Sequence, residues 1–93
     1  MFFILVNKVE GAPDLVIEIL SPSTAYYDLK EKFKVYARHG VKEYWIVDPN
    51  DKSIEVYEGK EGKFKQAQRM EEEGKARSVV LEGLEVEIKD IFA

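Results

Sequence analysis

Asp14-Leu15-Val16-Ile17-Glu18-Ile19-Leu20 is a run of aliphatic residues with one acid inside it, closed by Ser21-Pro22-Ser23. A segment this short and rich in β-branched side chains reads as a strand buried on both faces. A carboxylate in such a strand is costly unless it meets a cation, a metal ion or several hydrogen-bond donors. Glu18 is therefore either half of a structural ion pair or part of a reaction centre.

The flanking sequence supplies the elements around that strand. Phe2 to Val6 predicts another strand, and Gly11 and Pro13 break the chain before Asp14. Ser23 or Thr24 can cap a helix running to about His39, which Gly40 ends. Its apolar stripe is Tyr26, Leu29, Phe33, Tyr36 and Ala37. Lys32 falls at the border of that stripe, and Asp28 lies one turn before it, spaced to pair along the helix. His39 suits the negative helix end.

Residues 42–48 predict a second buried strand. Strand, helix and strand in succession imply parallel strands joined by a right-handed crossover. Residues 54–58, 64–69 and 76–81 predict further strands, with turns at 49–51, 59–62 and Gly83. The tail 86–92 ends as a strand or a short turn. The expected fold class is α/β (α+β), with one main helix packed on a mixed sheet of about five strands.

Composition narrows the function. The 93 residues predict one small domain, 1–93, near the size at which a single core gives only modest stability, so a homo-oligomer such as a dimer is expected. The chain has no cysteine and one histidine, which excludes thiolate metal sites and a His-rich zinc site from one copy. No stretch reads as a membrane span or a leader, and a cytoplasmic location is expected. Lys and Glu dominate the charges, a bias reported for heat-loving organisms. The net charge of -4 opposes nonspecific nucleic-acid binding by the whole surface. The charge is uneven, however. Lys30, Lys32, Lys34, Arg38 and Lys42 crowd one stretch, while Glu71, Glu72, Glu73, Glu82, Glu85, Glu87 and Asp90 crowd the other end.

Asp14 and Glu18 share a strand face but lie roughly 13 Å apart by strand rise, too far to grip one ion unaided. Glu18 needs oxygen partners from elsewhere, of the kind that magnesium takes. Lys32, arriving from the covering helix, can orient a water or stabilise charge on a phosphate. The plainer readings are a snorkelling lysine for Lys32 and a strand-start residue bonding loop backbone for Asp14. Tyr36, Tyr44 and Trp45 read as core.

The stretch GAPDLVIEILSPST (residues 11–24), then Asp28, Lys32, Tyr36, Gly40 and EYWIVDP (residues 43–49), resembles the Uma2 family of restriction-endonuclease-like proteins. The likeness continues through IEVYEG (residues 54–59) to LEGLEVEIKDIF (residues 81–92). It implies the PD-(D/E)XK nuclease fold, a bound Mg2+ or Mn2+ ion, and hydrolysis of DNA phosphodiester bonds. In that pattern Glu18 matches the second acidic position. Leu20 stands where the usual lysine would, and Lys32 matches a lysine brought by the helix. Asp14 matches a recurrent aspartate and would support the metal with Glu18. Uma2 proteins carry a further acidic ligand on an upstream strand. Here the resemblance implies an N-terminally truncated form, with that ligand missing or supplied by Asp14, Glu10 or another chain. The alternative expectation is a non-catalytic, oligomeric or partner-binding remnant of the same fold.

Overall fold

The computed structural model describes residues 2–6, 13–21 and 26–92. Five strands form one mixed sheet in the order β1 (Phe2–Val6), β2 (Leu15–Ile19), β3 (Glu43–Asp48), β4 (Ser53–Lys60) and β5 (Lys63–Glu71). Helix α1 (Tyr26–Arg38) joins β2 to β3. A separate two-stranded ribbon pairs β6 (Lys75–Arg77) with β7 (Glu85–Glu87), and a short helix α2 (Ile88–Ile91) follows. One main helix on a mixed five-stranded sheet is the architecture the periodicity implied.

The crossover makes β2 and β3 parallel, with Glu18 opposite Ile46, while β1, β4 and β5 join antiparallel. Every residue of β3 is buried, as expected of a central strand covered on both faces. Alternation sends Val16, Leu20, Tyr44 and Ile46 to the face under α1, where Leu29, Phe33 and Tyr36 meet them. Leu15, Trp45, Val47, Ile54 and Val56 face the other way, against Ala76 of β6 and Ile88 of α2.

Helix α1 stops as the glycine implied. Gly40 takes a φ of 84°, its N–H donates to the Ala37 carbonyl, and the Val41 N–H donates to the Tyr36 carbonyl. This pair of bonds is a Schellman closure, which satisfies carbonyls that the helix leaves open. Capping by Ser23 or Thr24, the role of Glu10 and the pairing of Asp28 lie outside the described residues and side chains.

Two expectations of detail change. The turn placed at residues 59–62 is shorter, because Gly59 belongs to β4 and only Glu61 and Gly62 turn, with φ of 53° and 76°. Positive φ at both positions is the hairpin turn that matches strand twist. Gly59 is needed for approach: its N–H donates to the Lys42 carbonyl, and a Cβ there would collide with the Val41 carbonyl. The strand expected over 76–81 ends at Arg77, because the N–H groups of Val79, Val80 and Leu81 bond to side chains instead of a ladder.

Candidate active site

Glu18 is fully buried on the helix-facing side of β2. Its two oxygens are taken by different elements. The Tyr44 hydroxyl on β3 donates to Oε1 at 2.6 Å, and the Lys32 ammonium on α1 donates to Oε2 at 3.0 Å. Lys32 keeps 25% of its side chain exposed, so the charged end of the pair sits at the border between core and solvent. The stripe-edge position read from the helical wheel thus brings Lys32 to Glu18. Parallel pairing brings Tyr44 there as well, since Tyr44 lies opposite Val16 on the same face.

Three rings surround the phenol, Phe64 lying tilted at 5.6 Å between centroids. Phe33 and Tyr36 each meet the Tyr44 ring edge-on, with centroids 5.2 Å away in both cases. Burial pushes the Tyr44 hydroxyl well above the ordinary tyrosine range, and its hydrogen bond to Glu18 pushes it further. Tyr36 is raised too, first by burial and then by the charge of Glu18. Both phenols remain protonated, so Tyr44 acts on Glu18 as a donor.

Asp14 sits just before β2, buried, with the Lys42 ammonium 3.4 Å from Oδ1. Its carbonyl accepts from the Glu43 N–H, so the same residue fixes where β2 and β3 come together. Among the described residues, no group of three or more His, Cys, Asp or Glu side chains is gathered as a metal cage. Glu18 nevertheless fits magnesium in one respect. That ion is often held by one or two carboxylates, with water and substrate phosphate filling the remaining positions. Each carboxylate oxygen offers two acceptor sites. One donor on each Glu18 oxygen therefore leaves acceptor capacity for an ion.

A second buried acid escaped the reading of the sequence. Glu43 is fully buried on the opposite face of the sheet. Its Oε2 accepts from Trp45 Nε1 at 2.5 Å, and its Oε1 accepts from Ser78 Oγ and from the Val79 and Val80 N–H groups at 2.9–3.0 Å. Ser78 Oγ in turn accepts from the Leu81 N–H. Glu43 thus anchors the segment after β6 to the central strand. Glu43 carries the same sequence signal as Glu18, an acid in an otherwise apolar strand. A third acid, Glu55, stands across Ile46 from Glu18 in the pairing, and receives Tyr57 and Arg69.

Residues 5–89 match the Uma2 family, described as putative restriction endonuclease. The chain belongs to the Uma2 family. The crystal structure of a putative nuclease of the DUF820 group from Anabaena variabilis superimposes on this Uma2 chain with a TM-score of 0.67 and 27% sequence identity. The match covers 87% of the Uma2 chain and 44% of that protein, so the chain spans less than half the length of this relative. No match is found among curated proteins. No helix of the described residues is long and apolar enough to cross a membrane.

Proposed function

We propose that this domain takes part in metal-dependent hydrolysis of DNA phosphodiester bonds, with Glu18 and Lys32 at the reaction centre. The observation that carries the reading is the fully buried Glu18 with Lys32 Nζ at 3.0 Å and the Tyr44 hydroxyl at 2.6 Å. A buried ion pair is a weak device for stability alone, because desolvation offsets most of its Coulomb gain. Placed at the edge of the core in a nuclease-like family, it has a chemical use.

Glu18 would hold Mg2+ or Mn2+ with oxygen ligands from elsewhere, and Asp14, too far along the strand to share the ion directly, would assist through water. Once bound, a divalent ion would supply positive charge for the phosphoryl oxygens and would make a nearby water more acidic. Lys32 presents its ammonium toward the same place, where it orients the attacking water and stabilises developing negative charge. Tyr44 keeps the Glu18 carboxylate in one orientation, so less reorganisation accompanies reaction.

Calorimetric titration with magnesium and cleavage assays on several DNA substrates test the reading together. Wild-type protein is expected to bind the ion and to cleave with magnesium or manganese, and Glu18→Gln is expected to lose both. Equal magnesium binding by wild type and Glu18→Gln would remove Glu18 from the reaction centre.

A second reading is a non-catalytic module that associates with another copy or another protein. Its support is that β1 ends the sheet among the described residues, and its sequence, Phe2 to Val6, is wholly apolar. An apolar edge strand is a template for pairing. Light scattering at low concentration tests it: a monodisperse monomer opposes this reading, and a stable dimer without magnesium binding favours it.

A further inference from the structure

A cleft of about 420 Å³ opens between α1 and the β4–β5 hairpin. Phe33, Tyr57 and Phe64 wall it, and Lys34 and Lys63 stand at its rim. All three rings are only partly buried. Phe33 meets Tyr57 and Phe64 edge to face, at 4.6 Å and 5.8 Å between centroids, so the rings are not stacked on one another. The volume falls within the range of small-ligand sites.

The charge around the cleft opposes the charge of the chain. Lys30, Lys34 and Arg38 follow each other at helical intervals of four, and all are exposed, as is Lys63. The nearby acids are Glu31, paired with Lys34 at 3.9 Å with both side chains well exposed, and Glu58 and Glu61 of the hairpin. Across the sheet, Lys75 and Arg77 face Glu85, and Lys89 faces Glu73, at 3.3–3.9 Å. A chain of net charge -4 therefore shows a cationic rim beside a partly exposed aromatic wall. Phe33 also connects this cleft to the reaction centre: it packs on Tyr44, the donor to Glu18, and follows Lys32 in the helix.

We propose that the cleft seats one unpaired base of single-stranded DNA, with Lys34 and Lys63 meeting the flanking phosphates. Planar bases stack on aromatic side chains whatever their identity, and lysines at the rim follow the phosphate track. A polyanion with planar side groups matches both features, whereas an acidic peptide would leave the rings unused. The inference deepens the nuclease reading by assigning where substrate strand lies, and it rests on that reading for the choice of DNA.

The test is fluorescence anisotropy of the full chain in chelator, so that no cleavage occurs. The probes are a labelled oligodeoxythymidylate, a duplex of equal length and the mononucleotide dTMP. The single strand is expected to bind about tenfold more tightly than the duplex. Lys34→Met with Lys63→Met is expected to reduce the salt slope of single-strand binding by about 1.4. Phe64→Leu is expected to weaken binding about tenfold with the salt slope unchanged. Near-ultraviolet circular dichroism checks the fold of each variant, and the exposed lysine variants carry the test if Phe64→Leu is misfolded. No binding, duplex binding as tight as single-strand binding, unchanged binding in the lysine variants, or dTMP binding as tightly as the oligonucleotide would overturn the proposal. Binding in chelator does not depend on catalysis. Single-strand binding without magnesium-dependent cleavage leaves the cleft assigned and defeats the nuclease reading; cleavage without it does the reverse.

Discussion

The Tyr44 hydroxyl donates to Glu18 across 2.6 Å, tying the two parallel strands β2 and β3 together through a buried acid. Neither strand could satisfy that carboxylate alone. The bond exists because parallel register sets Tyr44 opposite Val16, two residues before Glu18 and on the same face.

Tyr44→Phe removes that donor and leaves Glu18 with Lys32. The expected loss is about 1–3 kcal/mol, the usual cost of a buried polar group left short of a partner. Urea unfolding measures it. A change of a few tenths of a kcal/mol would mean that Lys32 alone satisfies the carboxylate.

Lys32→Met leaves an uncompensated buried carboxylate and is expected to destabilise by about 3–5 kcal/mol. Glu18→Leu combined with Lys32→Met is expected to cost less than Lys32→Met alone, because no charge is then buried unpaired. The double-mutant cycle gives the coupling directly. Additive effects would show that the contact is energetically idle.

Glu43→Gln turns an acceptor of four hydrogen bonds into an amide with only one acceptor oxygen. Either Trp45 or the donors at 78–80 must then face its NH2 group. The expected cost is about 2–4 kcal/mol, given that hydrogen bonds to charged groups exceed neutral ones. Amide exchange should accelerate first at Val79 and Val80, whose N–H groups would lose the charged acceptor. Uniform acceleration across β3 would instead indicate global unfolding.

Alkaline pH is expected to unfold the domain through its tyrosines. Burial and neighbouring carboxylates raise Tyr36, Tyr44 and Tyr57 in the folded chain, burial being the largest cause in each. The unfolded chain loses these protons near pH 10, the folded chain only above it. Their contribution to stability is thus full below about pH 10 and is lost as pH rises toward the folded values. Denaturant midpoints measured from neutral to alkaline pH should fall from there, with tyrosinate absorbance of these rings rising only as the fold is lost. Midpoints independent of pH through that window would contradict it.

Much of the architecture was legible in local pattern. The aliphatic run at 15–20, the stripe Leu29, Phe33, Tyr36 and Ala37, and Gly40 after the helix each carry their own physical signal: burial, helical period and left-handed φ. Lys32 lies at the stripe edge for the same reason. Less legible was the strand expected over 76–81, whose sequence pattern is compatible with a ladder. The Ser78 hydroxyl and the Val79 and Val80 N–H groups turn instead to Glu43, an acceptor 35–37 residues away along the chain.

The sequence by itself determined that an acid would lie in an apolar strand, that a lysine would border the covering helix, and that β2 and β3 would run parallel. Those outcomes depend on periods of two and 3.6 residues, which the chain carries locally. Only the tertiary structure decided which donors meet each acid: Tyr44 and Lys32 for Glu18, the Ser78–Val80 segment and Trp45 for Glu43. A hydrogen bond needs its partners within about 3 Å and correctly directed. That precision comes from strand register and helix placement, which no stretch of sequence holds alone.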